Sequence, residues 1–160
     1  MAYLPALAAS LLLVASSFQG LLPKPSAIQH VTFVATTEPE AAAPRGKITL
    51  LLDVTPDPKV HVYAPGAEDY VQTTLKVMPV ATSSAGKPAY PPAELVFDTA
   101  LNKKIPQYTK TFRIRQPLTL GAVKSGDRVE IAGTLAYQAC DDRMCYPPTT
   151  AAVNWTVNVK

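Results

Sequence analysis

From about residue 30 onward, apolar and polar positions alternate in short runs that prolines interrupt. Alternation with a period of two marks a strand that buries one face and wets the other. Eight runs fit: "HVTFVAT" at 30–36, "KITLLLDVT" at 47–55, "VHVYA" at 60–64, "TTLKVMPV" at 73–80, "AELVFD" at 93–98, "TKTFRIRQ" at 109–116, "RVEIAGTLAYQ" at 128–138 and "AAVNWTVNV" at 151–159. The last is the clearest. Val153, Trp155, Val157 and Val159 share one face while Asn154, Thr156 and Asn158 share the other, which sends the tryptophan and valines toward a core. No window of helical length keeps a 3.6-residue period without meeting a proline or a β-branched run. The stretch 81–92, "ATSSAGKPAYPP", reads as a loop by composition. Short strands with turn signals between them predict an all-β chain, an immunoglobulin-like antiparallel β-sandwich forming a single domain over 28–160.

Composition fits this picture. Hydrophobic residues are 48% and charged residues 17% of the 160, so a packed domain is expected. Prolines number 16 and glycines 7, a profile of stiff loops and short strands. The net charge of +3 comes from scattered lysines and arginines, which excludes nucleic acid as an expected partner.

The N-terminus has a different texture. "MAYLPALAASLLLVASSFQG" holds an apolar run around Leu11–Val14 followed by Ala15, Ser16 and Ser17, which reads as a secretory leader over 1–27, although no basic residue precedes Lys24. The run is too short and too interrupted for the ~20 apolar residues of a bilayer span. Export to an oxidising compartment is the expectation, and there a cysteine pair persists as a disulfide.

The chemistry concentrates in "YQACDDRMCYPP" at 137–148, which holds both cysteines of the chain, Cys140 and Cys145. One predicted strand leads into Cys140 and another follows Cys145, so "DDRM" forms the tip of a connection and the sulfurs face each other across it. A bond between them closes too small a ring to add more than about 2 kcal/mol of stability. A bridge meant to hold a sandwich links distant strands. Three uses stay open: a local structural bridge in a non-enzymatic binding module, a redox pair, or a metal clip. Zinc requires about four ligands, and only His30, His61 and the two cysteines are on offer. Copper(I) suits the sulfurs of Cys140, Met144 and Cys145 with His61, as in a periplasmic copper carrier. Asp141 and Asp142 oppose thiolate formation and Arg143 favours it, so neither cysteine is strongly activated.

The motif resembles that of the N-terminal periplasmic domain of the DsbD thiol:disulfide interchange protein family. "KVHVYAPG" at 59–66 resembles that family's early strand bearing a Tyr-x-Tyr-like pair. The segment "PPAELVFDTALNKKIPQYTKTFRI" at 91–114 resembles its stretch carrying a cap loop. The resemblance implies an immunoglobulin-like domain without cofactor or metal, in which Cys140 and Cys145 are the catalytic redox pair. It implies electrons arriving from a thioredoxin-like protein or a DsbD/CcdA-like membrane reductase and leaving to periplasmic disulfide proteins. By position, Tyr63, His61, Asp98, Tyr137 and Tyr146 become the residues that meet the substrate. No membrane region or thioredoxin-like domain follows Lys160, so the donor is expected to be a separate protein or a part removed from the chain. Cys145 is the expected site of the mixed disulfide and Cys140 the resolving residue. The stretch 97–108, ending near Pro106, is the expected cap loop over the pair.

Overall fold

The structure is a computed structural model and describes residues 30–78 and 83–160. The expected leader at 1–27 lies outside the described residues. Among those described, twelve strands form and no helix. They are β1 (Val31–Glu38), β2 (Ala41–Ala42), β3 (Lys47–Pro56), β4 (His61–Tyr63), β5 (Thr74–Val77), β6 (Ser84–Ala85), β7 (Glu94–Asp98), β8 (Lys103–Tyr108), β9 (Phe112–Thr119), β10 (Arg128–Tyr137), β11 (Ala139–Cys140) and β12 (Thr149–Val159).

One sheet has the order β1-β3-β9-β6 and a second the order β2-β12-β10-β5. Apart from the parallel β2–β12 contact, every pair is antiparallel. The predicted periodicity holds: β9 and β12 alternate buried and exposed positions along their lengths. Leu50, Leu52, Val54, Phe112 and Ile114 from the first sheet share one core with Ile131, Leu135, Val153, Trp155 and Val157 from the second. Trp155 donates its indole N–H to the Leu51 carbonyl oxygen at 2.9 Å, so its single polar atom is satisfied inside that core. This is the immunoglobulin-like sandwich that the alternation predicts.

A third sheet, β11-β4-β8-β7, carries the cysteine region. It grows from the end of β10, since only Gln138 separates Tyr137 from β11. Here the structure corrects the sequence reading. Residues 97–108 are not a loop: Phe97 and Asp98 end β7, 103–108 form β8, and only 99–102 turn between them. Pro106 sits within β8, opposite Leu95, and the missing N–H does not stop Ile105 and Tyr108 from being buried. Of the stretch expected to be a loop at 81–92, the described residues 83–92 pair with β9 through β6 and an Ala89–Arg115 bridge.

Candidate functional site

The cysteine turn is built by Asp141. Its Oδ1 accepts the backbone N–H groups of Arg143 (2.8 Å) and Met144 (2.9 Å), and its own N–H donates to the Met144 carbonyl oxygen at 2.9 Å. A short side chain that bonds the backbone two and three residues ahead is what folds a four-residue connection tightly. Tyr146 secures the other carboxylate oxygen through its hydroxyl at 2.7 Å, stacks on His30 at 3.7 Å, and donates its backbone N–H to Ala139. The Tyr146 hydroxyl, followed by the two amides, holds the Asp141 carboxyl down to about 2. Cys140 and Cys145 are thereby opposed, with Cα atoms 4.0 Å apart, and joined in a disulfide of S–S length 2.02 Å.

Alternation in the third sheet decides what surrounds the bond. Val62, Tyr108 and Ala139 turn to one side and join the sandwich core. Their neighbours Tyr63 and Cys140 turn to the other, with Ile105 two residues before Gln107, and form a second small cluster with Ala67. His61 lies opposite Cys140, and Gln107 opposite Tyr63. That second face is the floor of a groove of about 630 Å³, walled by the β7–β8 hairpin on one side and the cysteine turn on the other. The two cysteines differ in exposure. Cys140 is 1% exposed, whereas Cys145 is open to solvent.

Tyr63 reaches across the floor, and its hydroxyl lies 3.7 Å from Cys145 Sγ. A disulfide sulfur carries no hydrogen, so the phenol is the donor. Burial raises the Tyr63 pKa, which keeps that proton in place. The Tyr63 ring stacks on Tyr70 at 3.9 Å with planes 5° apart, and Tyr70 donates its hydroxyl to Asp98 Oδ2 at 2.5 Å. Asp98 Oδ1 accepts the N–H groups of Ala100 and Leu101 and so shapes the hairpin turn. The bond from Tyr70, followed by those amides, lowers the Asp98 pKa. His61 meets Tyr63 edge-on at 5.3 Å, and burial depresses its pKa against the opposing pull of Asp142 and Asp141.

The residues singled out in the sequence thus fall into two groups. Cys140, Cys145, His61, Tyr63 and Asp98 line one groove. Tyr146 supports the turn from behind. Tyr137 is not brought there: it is 1% exposed, because β10 alternation turns it into the core, and burial pushes its pKa up to about 12. A buried ring has no surface to offer a docked substrate. Sequence reasoning missed Tyr70, which lies in the connection 64–73, and Gln107, because β8 went unread. Joined as a disulfide, Cys140 and Cys145 present no thiolate to copper(I), so the imagined ligand set has no anionic donor in this state.

The family described as thiol:disulfide interchange protein DsbD, N-terminal, matches residues 30–156, a span that contains the groove, the hairpin and the cysteine turn. The chain belongs to the DsbD N-terminal family. It is accordingly a thiol–disulfide interchange domain with Cys140–Cys145 as its cysteine pair. Among solved structures, the DsbD N-terminal domain of Neisseria meningitidis in its reduced form is 20% identical, with a TM-score of 0.47 over 76% of this chain and 82% of that one. The N-terminal periplasmic domain of ScsB from Proteus mirabilis is 18% identical, with a TM-score of 0.57 over 83% of this chain and 48% of that one. The match therefore spans about half of that ScsB domain, and at this identity it speaks for the fold alone. No curated protein matches the chain.

Proposed function

We propose that this DsbD N-terminal domain works in the periplasm as an electron carrier, taking two electrons from a thioredoxin-like dithiol protein or membrane reductase and passing them to disulfide-bonded client proteins. The unequal exposure of the two cysteines carries the reading. An incoming thiolate can reach Cys145 but not the buried Cys140. Attack on Cys145 Sγ forms a mixed disulfide and breaks the Cys140–Cys145 bond, and the electron pair leaves on Cys140 Sγ, which takes up a proton. The donor's second thiolate then displaces Cys145, so the donor departs as a disulfide and the domain holds a dithiol. In the outward half, the Cys145 thiolate attacks a client disulfide and expels one client sulfur as a thiolate. Cys140 then attacks Cys145, restores the internal bond and releases the second client sulfur.

Several features favour this use over a structural bridge. The ring closed is small, and an open groove of about 630 Å³ lies beside Cys145. Periplasmic residence accords with the leader read at 1–27 and with the periplasmic placement of the ScsB N-terminal domain. No helix among the described residues is long and apolar enough to cross a membrane.

The deciding experiment traps the intermediate. Cys140→Ser should accumulate a covalent complex with a thioredoxin-like partner, Cys145→Ser should not, and the wild-type pair should equilibrate at a potential of about −270 to −180 mV. No trapped complex together with a potential below about −300 mV would return the bond to a structural role.

A further inference from the structure

Tyr70 has no chemistry of its own in the sequence, and its hydrogen bond goes to Asp98 rather than to sulfur. Its setting is nonetheless constructed. The connection 64–73 folds back on itself through Ala67 N–H to the Ala64 carbonyl, Tyr70 N–H to the Ala67 carbonyl and Thr73 N–H to the Tyr63 carbonyl at 2.7 Å. Gly66 takes φ +98°, a conformation L side chains rarely adopt, and its N–H donates to the Gln72 amide oxygen. Ala67 is fully buried against Tyr63, Ile105 and Cys140, which anchors the connection to the groove floor. Two further contacts clamp it to the hairpin: Tyr70 to Asp98, and Asp69 to Lys103 by an ion pair.

We infer that Tyr70 is a positioning residue: by stacking on Tyr63 it holds the Tyr63 hydroxyl against the sulfur of Cys145, and it ties that contact to the tip of the β7–β8 hairpin. The inference rests on the reading that Cys145 is the exchanging sulfur. Its consequence appears in the reduced state. There the Tyr63 O–H faces a thiolate, and a hydrogen bond donated to the charged form favours that form. The other groups around Cys145 are already in place. Asp141 and Asp142 on the turn and Asp98 on the hairpin disfavour the thiolate, Arg143 favours it, and His61 beneath is held toward its neutral form by burial. With three carboxylates against one guanidinium, a positioned phenol is the neutral donor that offsets them. A phenol free to rotate away would not.

The test measures the pH dependence of iodoacetamide alkylation at Cys145 in the reduced full chain, with the modified peptide resolved by mass. Tyr63→Phe should raise the alkylation midpoint by about one pH unit, a tenfold loss of reactive thiolate below the midpoint. Tyr70→Leu should raise it comparably, and Tyr63→Phe/Tyr70→Leu should raise it no further than Tyr63→Phe alone, since Tyr70 acts through Tyr63. Tyr70→Phe, which keeps the stacked ring and loses only the hydroxyl tie to Asp98, should stay near wild type, and a shift as large as that of Tyr70→Leu would overturn positioning by stacking. Because it frees Asp98, that variant separates positioning from released charge. Tyr70→Met, also without a ring, repeats the Leu prediction if Tyr70→Leu loses its thermal unfolding transition. Shifts that add in the double variant, or a wild-type midpoint in folded Tyr70→Leu and Tyr70→Met, would overturn the inference. A partner that is never trapped would defeat the exchange reading and leave these midpoints where they are.

Discussion

Val62 and Tyr63 are consecutive residues of β4, yet they belong to different clusters: Val62 is fully buried in the sandwich core, while Tyr63 lies on the opposite face with its hydroxyl 3.7 Å from Cys145. Strand alternation thus places chemistry on one face of a sheet whose other face is structural. The two residues should separate experimentally. Val62→Ala is expected to cost about 1–3 kcal/mol of unfolding free energy through lost burial and a residual cavity. Tyr63→Phe keeps the ring and should cost less than about 1 kcal/mol, because only one weak hydrogen bond is lost. Denaturant midpoints of the two variants check the contrast.

Gly133 on β10 is the narrowest point beside the core tryptophan. A Cβ placed there would lie 2.8 Å from the Lys76 carbonyl oxygen and 2.9 Å from Trp155 Cζ3. Backbone on one side and a fully packed indole on the other leave neither neighbour room to yield. Gly133→Ala is therefore expected to destabilise the fold by about 1–3 kcal/mol, despite the better intrinsic geometry of alanine in a strand. A thermal transition at or above that of the wild type would contradict it.

Acid should loosen the cysteine turn before it unfolds the sandwich. The folded-state pKa of Asp141 is about 2, below the ordinary value of 3.8, so its contribution is fully present above about pH 4 and fades as pH falls toward 2. The NMR shifts of the Arg143 and Met144 amides should follow that titration. Tyr146→Phe removes the largest of the three bonds to Asp141 and should move the midpoint upward toward 3.8. An unmoved midpoint would show that the amides alone set it.

How much of this was legible in the sequence follows from what strand alternation can and cannot carry. β9, β10 and β12 alternate over eight or more residues, and their inward faces were readable. β8 was not, because "KKIPQY" shows two lysines and a proline where a strand signal is sought, and one of its partners, β4, is distant in the chain. The hairpin was consequently read as a loop, and Gln107 was passed over. Cys140 and Cys145 could be found from spacing and flanking residues. Tyr70 could not, since its role depends on the connection 64–73 folding back so that its ring lies parallel to that of Tyr63, a contact no local pattern encodes. Tyr137 shows the reverse error: proximity to a motif in sequence suggested contact with substrate, while the period of β10 placed the ring in the core.

The hairpin that borders the groove also presents apolar surface. Phe97 is 54% and Met144 56% exposed, one on each wall beside Cys145, with Leu95, Val96 and Leu101 also exposed along the same hairpin. Exposed apolar side chains bordering Cys145 fit a surface that a macromolecular partner covers. Such contacts help only a partner large enough to make them, whereas a small thiol needs the sulfur alone. Phe97→Ala and Met144→Ala are therefore expected to leave the rate of reduction by dithiothreitol within about twofold of wild type and stability nearly unchanged, because neither side chain is in the core. The same substitutions should slow exchange with a dithiol protein about tenfold each, equivalent to about 1.4 kcal/mol of lost contact in the encounter complex. Comparing the two reductants on each variant separates docking from chemistry. Equal slowing with both reductants would mean that Phe97 and Met144 act on the sulfur itself, and unchanged rates with both would place the docking surface elsewhere on the domain.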